Sequence, residues 1–347
     1  MSFIKSYRFW IGILISLVCL WLAIKDIPVQ TMAGSIGSAA YLWLIPAFAA
    51  QILAVLTRSQ RWIVLLKQPK RFIPSLWAQG IGYLFTNILP FRMGEPARVL
   101  VMAEQCQLPL MYVAGSALVE RLLDVATIIF ALILVLPWMA VPPSVSNAGL
   151  VFGLLALFGL VVIILMARFK NFAHHVLEKL LTVLRVLPTP SILRWFDDFV
   201  DSLSLLLDFR VAIKAAFLSL VTWFFSACVY ICVIKTFQAD GLVIEAVFMM
   251  VALSLAVTVP SSPGFIGVFQ YAGQQALVLP FGAKYNSGNA LLITLTAHLI
   301  YYIFTTGLGL VAIWATGTSF SKLVKTMSGQ KNIRDGSIQK NENEGKK

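Results

Sequence analysis

Charge is what this sequence has least of. Asp, Glu, Lys and Arg make up 12% of its 347 residues, against about 25% in soluble domains. Apolar residues make up 59%. A soluble chain of this length needs far more polar surface, so the solvent of most of it is lipid. Acids are scarcer than bases, 15 against 27, yet the excess does not point to nucleic acid. The lysines and arginines fall in short stretches between apolar runs, which is how orientation is encoded in membrane proteins. Four cysteines and three histidines leave little for metal chemistry. Cys228 and Cys232 stand one helical turn apart in an apolar run and read as packing residues. His174 and His175 fall in a polar segment and read as a solvated face. There is no glycine-rich phosphate loop and no spaced acidic pair, so the chain offers no catalytic motif, no cofactor and no metal site.

What is present is a set of long apolar runs, near residues 9–25, 39–57, 111–137, 149–167, 211–235 and 287–317. Each approaches the roughly 20 residues that span a bilayer as a helix. The fold class this predicts is an all-α integral membrane bundle. The first run has basic residues ahead of it but no small-x-small cleavage site behind it, so an uncleaved first helix is expected. Lys/Arg clusters at 58–71, at 168–214 and after 318 face the sparse Lys25, Lys235 and Lys284 of the other loops. The expected location is an inner (cytoplasmic) membrane with both termini cytoplasmic. Residues 1–320 form one transmembrane domain in this reading, and 321–347 a disordered, basic cytoplasmic tail. Residues 170–208 are too polar to cross. Ile192, Phe196, Phe199, Leu203 and Leu206 recur there at helical spacing opposite Asp197, Asp198 and Asp201, as in a cytoplasmic amphipathic helix.

Two further apolar regions, 74–110 and 242–281, are broken at Pro90…Gly94 and Pro260…Gly264. Broken backbone survives at membrane depth only against protein or a water-filled cavity. The orientation makes the first region leave from and return to the cytoplasmic side, and the second do so on the other side. That predicts two broken segments, each either a re-entrant hairpin or a pair of full crossings, in an inverted-topology repeat.

The strongest functional signal is charge inside a span. Glu120, Arg121 and Asp124 lie in the 111–137 run, Glu120 about 14 Å deep at 1.5 Å per residue. Such charges are tolerated when paired and facing the bundle interior. Glu120 and Asp124 share a helical face, Arg121 lies i,i+3 from Asp124, and Arg92, Glu95 and Arg98 are the expected partners. Pro96 suits the first turn of a new helix with Glu95 as its cap, so Arg92 and Arg98 would flank a helix N-terminus and form an anion site. Guanidinium groups exchanged between Glu120 or Asp124 and an incoming phosphate fit that pattern. An architectural role, pinning the broken segment to the third span, is the alternative. In the second broken region Ser261, Ser262, Gly264 and Gln270, with Gly267, Tyr271 and Gln274, offer neutral groups expected to line the outward half of a path. His298 is the one histidine in a span.

Leu89-Pro-Phe-Arg-Met-Gly-Glu-Pro-Ala-Arg98, Val119-Glu-Arg-Leu-Leu-Asp124 and Pro260-Ser-Ser-Pro-Gly-Phe-Ile-Gly267 resemble, in order and spacing, the lysylphosphatidylglycerol synthase transmembrane, or flippase-like, family. The resemblance covers roughly residues 5 to 320. It implies an inner-membrane protein that translocates an aminoacylated phospholipid or helps move another lipid. About thirty residues follow the last apolar run, too few for an aminoacyl-transferase domain, so lysyl transfer is not carried over. The expected function is flipping of an anionic phospholipid or other lipid-linked substrate across the cytoplasmic membrane. The expected partner is a membrane lipid with an anionic head group. An integral-membrane transferase, or a non-transporting partner of a lipid- or glycolipid-modifying enzyme, stays open as the alternative.

Overall fold

The computed structural model describes residues 7–25, 27, 29–89, 93–138, 143–183, 190–238, 240–258, 261–319 and 323–324. Among them are thirteen α-helices and no strand: α1 (Tyr7–Ile24), α2 (Val29–Gly37), α3 (Leu44–Leu65), α4 (Phe72–Ile88), α5 (Gly94–Cys106), α6 (Leu110–Val135), α7 (Pro143–Arg168), α8 (Lys170–Val183), α9 (Pro190–Leu203), α10 (Phe209–Phe237), α11 (Val243–Ala256), α12 (Val268–Phe281) and α13 (Ser287–Thr316). The six apolar runs correspond to α1, α3, α6, α7, α10 and α13. The regions around α3, α10 and α13 are long and apolar enough to cross a membrane. Helix α6 is long enough, but Glu120, Arg121 and Asp124 interrupt its apolarity. Large apolar side chains such as Leu14, Leu17, Phe158, Phe217, Leu299 and Ile303 point outward, which water would penalise and lipid does not. The protein is an all-α integral membrane protein.

Side-chain contacts fix the relative directions of the helices. Thr222 bonds Thr57 and Arg61 bonds Ser219, while Ala40 N–H donates to the Thr236 carbonyl. Increasing numbers on one side meet decreasing numbers on the other, so α3 and α10 pack antiparallel. The exposed Lys67–Asp208 ion pair marks one end of this pair of helices. The Lys284–Asp240 pair marks the other.

The two broken regions enter from these opposite ends. Helices α4 and α5 form a hairpin whose open side lies beside Lys67; α11 and α12 form one whose open side lies beside Lys284. With 17, 13, 14 and 14 residues, their arms reach only about 20–26 Å at 1.5 Å per residue, short of a hydrocarbon core of roughly 30 Å. Both are re-entrant. Their tips meet: a Cβ built on Gly264 would touch the Asn87 carbonyl and Tyr302. Helix α4 packs on α13 and, reciprocally, α11 packs on α6. Units α3–α6 and α10–α13 thus exchange under a two-fold operation. Because the equivalent helices α3 and α10 run antiparallel, its axis lies across the bundle, which is an inverted repeat.

The two motif glycines serve different ends. Gly94 begins α5 against the Gly82 carbonyl and the Thr86 hydroxyl, where a Cβ has no room, so it sets the closeness of the first hairpin. Gly264 has φ +67° in a turn followed by Phe265 at φ +61°, a left-handed bend that favours glycine at the tip of the second. Pro90 and Pro260 lie outside the described residues.

The polar 170–208 segment is a pair of helices rather than one. Phe199 and Leu203 of α9 pack with Leu65, Val119, Ile163 and Ala215, and Val200 is buried. The opposite face pairs with α8 through Lys170–Asp201 and His174–Asp197. Of the tail, Leu323 is buried against the cluster around Trp62, and 325–347 lie outside the described residues.

Candidate anion site at the first re-entrant hairpin

Three helices bring charge to one place, and a fourth closes it. Helix α3 supplies Arg58 and Arg61, α5 supplies Glu95 and Arg98, and α6 supplies Glu120, Arg121 and Asp124, while α10 closes the group with Ser219 and Trp223. On α6 the i,i+4 spacing turns Glu120 and Asp124 towards α3, as the sequence implies.

Arg61 is the centre. Its side chain is 0% exposed. Its Nη2 donates to Glu120 Oε1 at 2.9 Å. Its Nη1 donates to Asp124 Oδ1 at 2.8 Å and to Ser219 Oγ at 2.9 Å. Arg98 holds the other carboxylate oxygen of Glu120 through Nη1 at 2.8 Å. It also donates from Nε to Glu95 at 2.8 Å and from Nη1 to Gln79 at 3.2 Å, while its guanidinium lies 4.7 Å from the centre of the Trp62 ring. Arg121 spans Glu95 at 3.1 Å and Asp124 at 3.2 Å. Trp223 Nε1 donates to Asp124 Oδ1 at 3.0 Å.

The cluster has a sealed side and an open side. Arg61, Arg98, Glu120 and Asp124 have side chains at most 5% exposed, whereas Arg121 is 39% and Glu95 46% exposed. Four arginines face three carboxylates here, an excess of one positive charge among the described residues. The hydrogen bonding is unbalanced in the same sense. Arg61 Nε, Gln79 Nε2, Arg98 Nη2 and Arg121 Nε are buried without a partner, and all four are donors.

The structure thus unites Glu95, Arg98, Glu120, Arg121 and Asp124. Arg92 lies outside the described residues. Glu95 is not a cap: α5 starts one residue earlier, and Glu95 sits in its first turn with its carboxylate committed to Arg98 and Arg121. Sequence reasoning misses Arg61 and Arg58, which fall in the basic stretch 58–71. Helix α3 continues through both to Leu65. The signal was there in Trp62-Ile-Val-Leu-Leu66, an apolar run that resumes directly after Arg61.

The neutral set of the second hairpin forms a separate group. Ser262 N–H donates to Ser16 Oγ at 2.8 Å and Ser262 Oγ to the Ile266 carbonyl. Gln270 Oε1 accepts from Gly267 N–H at 2.7 Å, which turns its Nε2 towards His298 Nδ1, also at 2.7 Å. The imidazole proton then sits on Nε2 and donates to the Gly264 carbonyl at 2.9 Å. In this arrangement Nδ1 accepts from the Gln270 amide and Nε2 donates. Ser262, Gly264 and Gln270, read from the sequence as cavity lining, are therefore committed to holding the hairpin together. Ser261 Oγ is buried with no partner.

The family model described as lysylphosphatidylglycerol synthase TM region matches residues 9–309. The chain belongs to that family. The family match takes in every residue of the charge cluster and both re-entrant hairpins, and it places the protein in a lipid-linked membrane context. No curated protein and no solved structure matches the chain.

Proposed function

We propose that this protein translocates the head group of an anionic lipid across an inner (cytoplasmic) membrane, with its termini on the cytoplasmic side. The observation that carries the reading is the excess of donors and of one positive charge in a cluster of three carboxylates inside the bundle. Such a site is short of acceptor oxygens and of one anion, which a lipid phosphate supplies. Its place fits the role. It lies at a re-entrant hairpin beside the interface of an inverted repeat, where transporters bind their cargo, and its open edge at Arg121 and Glu95 gives a ligand a way in. The cations at the two ends support the orientation. Lys67, Lys70, Arg71, Lys170, Arg210 and Lys214 gather at the end where the first hairpin opens, against Lys25, Lys235 and Lys284 at the other.

The test is reconstitution. Proteoliposomes carrying fluorescent anionic or choline-headed lipid should show faster exchange between leaflets for the anionic lipid. Arg121→Gln, normalised to inserted protein, should lose most of that rate. Exchange equal to that of protein-free vesicles for every head group overturns the reading.

A further inference from the structure

We propose that Arg58, walled by Tyr83 and Trp223, is the residue on which the phosphate of a phosphodiester head group docks, and that the sealed Arg61 and Arg98 never touch the substrate. This deepens the translocation reading and rests on it.

The four guanidinium groups of the cluster are not equivalent. Arg61 and Arg98 are 0% and 3% exposed in their side chains, and each is bound to two carboxylates. For a phosphate to take either, a carboxylate must lose its partner in a low-dielectric interior, which is strongly unfavourable. Arg121 is reachable, but its two terminal nitrogens are engaged by Asp124 and Glu95. Arg58 differs from all three. It makes no ion pair with a described carboxylate. Its hydrogen bond to Tyr83 Oη is 3.4 Å long, beyond the usual N–H···O range. Its guanidinium carbon stands 6.0 Å from the centre of the Trp223 ring, the outer limit of a useful cation–π contact. A guanidinium carries five N–H donors in a fork that matches a phosphate, and Arg58 spends one of them, weakly. Its side chain is half-buried, and none of its nitrogens is sealed without a partner. Arg58 is the cation with bonding capacity left and a surface to offer it from.

The surroundings are built to receive a ligand. Tyr83 is on α4 and packs edge-on against Tyr301 of α13, ring centres 6.3 Å apart. Trp223 is on α10, its indole fixed by the bond to Asp124. Arg58, Tyr83, Trp223 and Tyr301 are all half-buried and come from both halves of the repeat. Rigid aromatic walls with one free cation suit a phosphate and the glycerol beside it. The charge count selects the diester: one negative charge balances the excess of one cation among the described residues, and a phosphomonoester brings more than one.

Calorimetric binding of dihexanoyl phosphatidylglycerol to the full chain in detergent, read beside leaflet exchange in proteoliposomes and thermal melting, tests this. Arg58→Gln should bind about tenfold more weakly or worse and lose exchange rate in proportion, with a melting temperature equal to wild type because it strands no carboxylate. Arg58→Lys should recover only part of the loss, and wild type should prefer the diester to dihexanoyl phosphatidic acid. Wild-type affinity and rate in Arg58→Gln refute this site and leave the translocation reading standing. A loss accompanied by a drop in melting temperature makes Arg58 structural and refutes it too. Tighter binding of phosphatidic acid refutes the diester assignment. A wild-type protein that neither binds nor moves an anionic lipid refutes both proposals together.

Discussion

Replacing Arg61 with glutamine removes the one group that bonds Glu120, Asp124 and Ser219 at once. Glutamine keeps a polar side chain but loses the charge, so the larger part of the effect is electrostatic. The sealed part of the cluster goes from two positive and two negative charges to an excess of one negative, with both carboxylates at most 5% exposed. Removing one partner of a buried ion pair costs about 3–5 kcal/mol. Glu120 keeps Arg98 and Asp124 keeps Arg121 and Trp223, so the lower end applies, about 3 kcal/mol. At roughly 2 °C per kcal/mol for a large domain, the melting midpoint in detergent, followed by tryptophan fluorescence, should fall by about 6 °C. Lys67→Gln serves as the control, since its exposed pairing with Asp208 contributes little. The double variant Arg61→Gln, Glu120→Gln removes the stranded charge and should regain part of the loss. Midpoints for Arg61→Gln and Lys67→Gln that coincide would show that the cluster does not hold the bundle together.

Arg98→Lys should lower both melting temperature and exchange rate, because one ammonium cannot bond Glu95 and Glu120 together as the fork does; a wild-type midpoint would count against the geometry. Gly94→Ala places a Cβ on the Gly82 carbonyl and the Thr86 hydroxyl, so the first hairpin must open; limited proteolysis of the variant should be faster than that of wild type, and equal rates would refute the close approach. In a cysteine-free background, a cysteine at Ala283 should react with an impermeant reagent from outside and one at Lys70 only after permeabilisation, the reverse result inverting the orientation.

Much of this was legible without coordinates because lipid is a simple solvent. A backbone with no water to bond must be helical, so the apolar runs and their interruptions dictate helices and the places where they break, while the short arms that make both hairpins re-entrant are seen only in the fold. Buried charge must be paired, so Glu120 and Asp124 announce a site wherever they fall in the chain. Their i,i+4 spacing even gives the face on which it lies. Which cations meet them is decided elsewhere. Arg61 stands 59 residues from Glu120 in sequence, and only the packing of α3 on α10 and α6 swings it inward while leaving Arg58, three residues away, half-buried beside Tyr83 and Trp223. Sequence spacing constrains neighbours on one helix. The pairing of charges across helices depends on how far α3 continues and how it is rotated, and packing alone sets both. The same holds for the second hairpin, where the polar residues read as a pathway are drawn into bonds with Ser16 and His298 that no local pattern encodes.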